Sequence, residues 1–166
     1  MRVTSVALAA ALTLVSVSTS LSGQKPDDQI DPRSLQFLAQ GKAARAAGNL
    51  DGATDLLETS AALDPRNRAA FVALADVAEA RGLPGKAIRL YREALLLEPN
   101  DVVALKGQGE ALVKKGALAQ ARDNLARIRK LCKNSCGEAS ELAATIAKGP
   151  PVTTAQVDKK PPVTPE

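Results

Sequence analysis

Residues 68–101 read RAAFVALADVAEARGLPGKAIRLYREALLLEPND, and the spacing of their small and apolar residues recurs on both sides of this segment. A glycine and an alanine each return at intervals of 34 residues, at Gly48, Gly82 and Gly116 and at Ala53, Ala87 and Ala121. Larger residues keep the same period, as Leu57, Tyr91 and Leu125 do. A period of this length predicts supersecondary units that stack on one another.

Within each unit, the apolar residues have the spacing of two amphipathic helices separated by a short break. The predicted helices cover residues 34–47, 51–63, 68–81, 84–97, 102–115, 118–132 and 136–148. Gly48, Gly82 and Gly116 end the first helix of each unit, because glycine readily adopts the left-handed backbone found there. Pro65 and Pro99 follow a second helix and prevent its continuation. The predicted fold class is therefore all-α.

This pattern resembles the tetratricopeptide repeat (TPR), a family of 34-residue helix–turn–helix units. The matching residues are Phe37, Gly41, Ala53, Leu57, Ser60 and Pro65, then Phe71, Ala75, Ala87, Tyr91, Ala94 and Pro99, then Leu105, Gly109, Ala121, Leu125 and Ile128. The third unit departs from the pattern with Lys133 in place of the last proline. The resemblance implies an α-solenoid of three repeats, at residues 34–67, 68–101 and 102–135, closed by a capping helix at 136–148.

The N-terminal segment differs in composition from the repeats. Arg2 gives residues 1–22 a positive start, residues 3–17 are largely apolar, and small residues follow, which is typical of a secretory signal peptide cleaved after Ser20 or Ser22. The alternative is a retained membrane anchor, but this apolar stretch is shorter than the ~20 residues that span a bilayer. We therefore expect a periplasmic or secreted protein, without lipid attachment and without stable membrane insertion after cleavage.

Two further segments lie outside the predicted repeats. Residues 23–33 are expected to form a flexible lead-in, and Asp31 and Pro32 near its end offer a helix start, with Asp31 as the N-cap and Pro32 at the first helical position. Residues 149–166 contain five prolines and little that a core would bury, so we expect a disordered tail.

The composition offers little for catalysis or for cofactor binding. The sequence has no histidine and two cysteines, and it shows no P-loop, no glycine-rich nucleotide fingerprint and no nucleophile elbow. The net charge of +4 is mild and only 2% of the residues are aromatic, which disfavours nucleic-acid binding. We therefore predict a protein that is not an enzyme and that uses no metal, cofactor or nucleic acid.

Cys132 and Cys136 are the one pair of residues with possible chemistry. They lie at the predicted end of the last repeat and at the start of the capping helix, so their sulfurs can meet across the turn between them. In an oxidising compartment this arrangement favours a structural disulfide. The alternative is a redox-active or metal-responsive thiol pair, although the spacing is C-x-x-x-C rather than C-x-x-C.

The resemblance also indicates a binding surface, because proteins of this family line a concave groove with one stripe of each first helix. The nine candidate groove residues are Leu38, Lys42, Arg45, Val72, Asp76, Glu79, Lys106, Glu110 and Val113. Their charges run from basic through acidic to mixed, which favours recognition of a peptide with charges in complementary order. The alternative is that these charges only solvate the surface and pair with one another across neighbouring repeats.

Together these features predict a protein–protein adaptor or scaffold of the cell envelope that binds another envelope protein or peptide in its groove. The alternative from a different class is a thiol-based redox or stress-responsive protein that uses Cys132 and Cys136. A third hypothesis is self-association, because three repeats expose apolar ends.

Overall fold

The computed structural model describes residues 29–132 and 136–151. This part of the chain contains seven helices and no strand: α1 (Pro32–Ala46), α2 (Leu50–Leu63), α3 (Arg68–Ala80), α4 (Pro84–Leu97), α5 (Val102–Lys114), α6 (Leu118–Leu131) and α7 (Gly137–Lys148). The candidate signal peptide, most of the predicted lead-in, residues 133–135 and the tail from residue 152 onward lie outside the described residues.

The helices have the predicted order, and each begins and ends within two residues of the predicted position. Gly48, Gly82 and Gly116 have positive φ angles of 79°, 69° and 78°, which confirms the left-handed turns after the first helices. α2 and α4 each end two residues before Pro65 or Pro99, as the proline positions predict.

The start of α1 has the predicted cap, because the helix begins at Pro32 directly after Asp31. The expected lead-in is shorter than residues 23–33, since Ile30 is buried and residues 32 and 33 are already helical. Asp31 caps the helix because its side chain accepts a hydrogen bond from the backbone N–H of Arg33 at 2.8 Å. Proline at the first helical position costs no hydrogen bond, so the cap and the proline together extend α1 towards the N-terminus.

Asp64 fastens this entry segment to the end of α2. Its buried carboxylate accepts hydrogen bonds from the backbone N–H groups of Asp31 and Arg66, both at 3.0 Å, and from the Arg66 guanidinium at 2.8 and 3.0 Å. Burial alone raises the pKa of Asp64, but these hydrogen bonds and the Arg66 charge outweigh it, so the pKa lies below its ordinary value.

A lowered pKa makes the contribution of Asp64 to stability depend on pH. The stabilisation is fully present above the ordinary pKa of 3.8 and is lost as the pH falls through the lower folded-state value. Asp64→Asn should therefore reduce the free energy of unfolding by about 1–2 kcal/mol at neutral pH, with a deficit that shrinks in acid. Denaturant unfolding across the pH range checks this, with exposed Asp55→Asn on α2 as the control. A deficit that does not change with pH would contradict the assignment.

The helices pack in two rows. Consecutive helices form antiparallel hairpins, α1 with α2, α3 with α4 and α5 with α6. The first helices also touch one another in succession, from α1 through α3 and α5 to α7, whereas α2, α4 and α6 make no such contacts. We call these the inner row and the outer row. Because only the inner row packs closely, the described residues form an α-solenoid with a concave inner face.

The core consists mainly of leucine and alanine. The small residues early in α2, α4 and α6, namely Ala53, Ala87 and Ala121, are fully buried, as are Leu57 and Ile128. Tyr91 is 3% exposed, whereas Phe37 and Phe71 are only half-buried. Small side chains at the hairpin crossings allow the helix axes to approach closely.

α7 closes the array at its C-terminal end. It packs on both α5 and α6, and its Leu142 is completely buried. Leu142 lies on Gly109, where an added Cβ would come within 2.7 Å of the leucine side chain. The glycine thus makes room for the capping helix. None of the described helices is long and apolar enough to cross a membrane.

Candidate functional site

The structure places all nine candidate groove residues on the inner row, three each on α1, α3 and α5. Two of them do not line a surface. Leu38 is 7% exposed and Val113 is 1% exposed, and both belong to the core. The expectation that these two residues line the groove is therefore corrected. The side chains of Leu38 and Val113 pack into the core, whereas a charged side chain of the same stripe, such as Lys42, extends to solvent.

Ion pairs cross from helix to helix on the inner face. Arg45 on α1 lies 3.0 Å from Asp76 on α3, and Glu79 on α3 pairs with Lys114 on α5. Asp76 also accepts a hydrogen bond from the Tyr91 hydroxyl at 2.7 Å. Burial and the nearby Asp76 charge raise the pKa of Tyr91, so its phenol remains a donor. Several charged residues of the predicted groove therefore pair with one another across neighbouring repeats. This agrees with the alternative interpretation of these residues.

At the C-terminal end of the inner face, α5 and α7 share a cluster of charges. Lys106 lies 2.6 Å from Glu141 on α7 and 3.9 Å from Glu110 on its own helix. The hydrogen bond to Glu141 raises the pKa of Lys106. Burial raises the pKa of Glu110, and the negative charges of Glu141 and Glu79 add to this, although Lys106 opposes it. α7 therefore extends the inner face as well as covering the core.

A cavity of about 440 Å³ opens on the inner face between α1, α3 and the start of α5. Four candidate groove residues line it, Lys42, Arg45, Val72 and Asp76. Five residues that are not among the nine candidates complete the lining: Arg68, Ala69, Ala73, Asp101 and Val103. The cavity therefore has a small apolar floor with charged groups at its edge.

Helical periodicity in the sequence indicates two of these five lining residues. Ala69 and Val103 lie three positions before Val72 and Lys106, which places them one turn earlier on the same helical stripe. Val103 is 49% exposed, an unusual exposure for a large apolar side chain in this protein. Arg68 and Asp101 carry no such signal, because their ion pair of 3.1 Å joins residues that are distant in sequence.

Lys42 differs from the other cations at the cavity. Arg45 and Arg68 each pair with an aspartate, whereas the exposed Lys42 ammonium forms no ion pair with any described residue. An exposed ammonium beside an apolar floor can receive a carboxylate without first breaking an existing pair. Lys42 and Val72 are therefore the candidate residues most available to a bound segment.

Within residues 29–132 and 136–151, no three His, Cys, Asp or Glu side chains are grouped so that they could hold a metal ion. The acidic side chains at the cavity, Asp76 and Asp101, each lie in an ion pair with arginine.

Cys132 and Cys136 form a disulfide that joins the end of α6 to the start of α7, with their Cα atoms 5.9 Å apart. Both cysteines are half-buried against the cluster that contains Ile128 and Leu142. The bond therefore lies beside the packing contacts of the cap, away from the cavity on α1 and α3.

Comparison with known proteins supports the fold. No family model matches the chain. It is 37% identical over 89 residues to cellulose synthase operon protein C of Xanthomonas axonopodis pv. citri (strain 306), an alignment that covers 54% of this chain. The chain spans only 6% of the length of that relative.

Two solved structures resemble the chain over most of their length. The first TPR of Spaghetti (RPAP3), bound to the HSP90 peptide SRMEEVD, gives a TM-score of 0.65 at 21% identity and covers 70% of this chain and 91% of its own. The Yersinia enterocolitica type III secretion chaperone SycD, in complex with a peptide of the translocator YopD, gives 0.62 at 22% identity, covering 72% and 92%. The chain therefore has a TPR-like fold, an all-α solenoid of helix–turn–helix units.

Proposed function

We propose that this protein is a non-enzymatic adaptor or scaffold of the cell envelope that binds a peptide or protein segment on its concave inner face. The observation that carries the proposal is the cavity between α1, α3 and α5, which combines an apolar floor at Ala69 and Val72 with Lys42, a cation that pairs with none of the described residues. Such a surface suits a segment that places a small apolar side chain on the floor and a carboxylate beside Lys42.

The ion pairs on the inner face reduce the number of candidate residues that are available to a bound segment. Of the nine candidate residues, Lys42 and Val72 are the principal contacts that we propose, with Asp76 and Arg45 forming the wall of the cavity. Lys106 and Glu110 lie in the charge cluster farther along the row, and Glu79 of α3 pairs with Lys114 of α5. We propose that these three candidate residues contact the distal part of a longer segment. Leu38 and Val113 support the surface from within the core.

The similar solved structures support peptide binding as the class of function. One of them holds an HSP90 peptide and the other a translocator peptide, according to their descriptions. The envelope location rests on the predicted signal peptide at residues 1–22, and we propose that the protein is periplasmic or secreted. Its partner is then another protein of the same compartment.

The two cysteines favour a structural role over the thiol-based alternative. They are bonded to each other, half-buried and packed against the cap. A redox-active pair needs an accessible thiolate, which this position does not favour.

A screen of a random-peptide display library on the purified protein tests the proposed function. Enriched peptides should carry an acidic residue next to a small apolar residue. Bound to isotope-labelled protein, they should shift the backbone NMR signals of Lys42, Val72 and Val103. Lys42→Glu should weaken their binding about tenfold, because a favourable charge contact becomes a repulsive one.

Ala62 provides the matched control position, because it is exposed on α2 and lies away from the cavity. Ala62→Glu should leave the affinity unchanged. If the screen yields no enriched peptide, or if the shifts lie outside the inner face, the proposed binding site is wrong.

A further inference from the structure

The outer row has an uneven distribution of charge. The exposed basic residues of α4 and α6 are Lys86, Arg89, Arg92, Arg122, Arg127, Arg129 and Lys130, which we call the convex basic face. On the same two helices the acidic residues are Glu93 and Asp123. α2 is the opposite, because it carries Asp51, Asp55 and Glu58 and no basic residue. The positive charge is therefore concentrated over the second and third hairpins.

Most of these cations have no partner within the part of the chain that the structure describes. Lys86 reaches Glu58 at 3.9 Å, and Arg127 donates a hydrogen bond to the backbone carbonyl of Pro99 at 2.7 Å. The remaining five form neither ion pairs nor side-chain hydrogen bonds with described residues. On the inner face, by contrast, most charged side chains are already paired across neighbouring helices.

A crevice of about 380 Å³ opens in the middle of the convex basic face. It forms because α4 and α6 do not touch, so the side of α5 is reached between them. Its apolar wall is formed by Ile88, Leu95 and Leu96 of α4 and by Leu112 of α5. Leu96 is 67% exposed, the highest exposure of any large apolar side chain in the described residues.

Polar groups border this apolar wall. Arg92 of α4 and Arg127 of α6 line the crevice, together with one acidic side chain, Asp123 of α6. Asn124 is 6% exposed, and its amide N–H groups donate to the Leu105 carbonyl at 3.1 Å and to the Gln108 side chain at 3.0 Å. The hydrogen bonds of Asn124 hold α6 against α5 and so fix one side of the crevice.

We infer that the convex basic face is a second docking surface, and that its partner is an acidic amphipathic helix of another protein. The crevice accepts one or two leucine-sized side chains, while glutamate or aspartate on the flanks of that helix meets the unpaired arginines. A nucleic acid fits this face poorly, because the face presents no aromatic side chain on which a base can stack. Tyr91 is the one aromatic residue of α4 and α6, and it is buried. A lipid surface is flat and does not enter a crevice.

Titration of the full chain with a designed helical peptide tests this inference. The probe is a synthetic peptide of about 18 residues, long enough to form helix on binding, with two leucines four positions apart and glutamates on both flanks. Binding of the probe should shift the backbone NMR signals of Ile88, Leu95, Leu112 and Asn124 of the protein. A peptide of the same composition in scrambled order, and vesicles that contain phosphatidylglycerol, are measured in parallel.

Single substitutions separate the contributions of charge and of apolar contact. Arg92→Glu and Leu96→Ser should each weaken binding of the probe about fivefold or more, and added salt should reduce the effect of the first but not of the second. Lys148→Glu is the control, because Lys148 is exposed at the end of α7 and lies off this face. It should change the affinity less than twofold. Circular dichroism of each variant checks that the fold is retained.

Four results would overturn the inference. The probe does not bind; the scrambled peptide binds equally well; the shifts lie in the cavity of the inner face instead; or the vesicles bind through Arg92 while the peptide does not. The last result would identify the convex basic face as a membrane-contact surface.

Discussion

Tyr91→Ala should lower the free energy of unfolding by about 3–5 kcal/mol, because it removes the one aromatic ring that is almost completely buried. The ring lies directly on Gly107 of α5, where an added Cβ would collide with it. Its hydroxyl donates to Asp76 on α3 at 2.7 Å. One side chain of α4 therefore contacts both neighbouring inner helices, and its truncation leaves a cavity between the three helices.

Tyr91→Phe separates the contribution of the ring to stability from that of the hydroxyl, and Phe37→Ala provides a comparison with a less buried ring. Tyr91→Phe keeps the ring and should cost about 1–2 kcal/mol, because Asp76 loses a hydrogen-bond donor. Phe37→Ala removes a half-buried ring and should cost less than Tyr91→Ala. Denaturant unfolding measures all three. If Tyr91→Ala and Tyr91→Phe had equal effects, the ring would contribute nothing and the packing described for the second repeat would be wrong.

Leu142→Ala should release the capping helix while leaving the first two repeats folded. Leu142 is completely buried between α5 and α6, and its truncation costs about 2–4 kcal/mol. Among the described helices, α7 packs on α5 and α6 alone, and apart from this packing it is held by the Cys132–Cys136 disulfide and the ion pair of Glu141 with Lys106. Hydrogen exchange should show a large loss of protection in α7, with protection in α3 and α4 retained.

The disulfide should account for a separate part of the stability of the cap. Closing the short loop between Cys132 and Cys136 contributes about 2 kcal/mol on the chain-entropy model, so reduction should increase the opening of α7 about thirtyfold. Ala144→Ser, at an exposed position of α7, is the control and should leave exchange unchanged. If reduction changed exchange equally in every helix, the disulfide would not act locally.

The sequence predicts the fold well because its signals are local and repeated. Gly82 needs only its own positive φ to end α3, and Pro99 prevents the continuation of α4 without reference to distant residues. Ala87 and Tyr91 occupy the same positions as their equivalents in the other repeats, so the period predicts their burial. Each of these effects acts within one hairpin.

The inner face is predicted less well because it depends on contacts between repeats. Leu38 and Lys42 lie on the same stripe of α1, but one is buried and the other exposed, since apolar and charged side chains behave differently at the edge of a core. The pair of Arg45 and Asp76 depends on the offset between successive hairpins, which the 34-residue period does not specify. The sequence therefore predicts which stripe of the first helices carries the proposed binding surface. The structure is needed to show which residues of that stripe are exposed.

Photocrosslinking in intact cells tests the proposed function most directly. A photoreactive residue placed at Lys42 or Val72 reports on the cavity of the inner face, and one at Ala62 on α2 is the control. We expect one discrete protein to be captured from both cavity positions and not from Ala62, and mass spectrometry should locate the adduct in an acidic segment of that protein. The same weak background from all three positions would contradict the assignment of the concave inner face as the binding site.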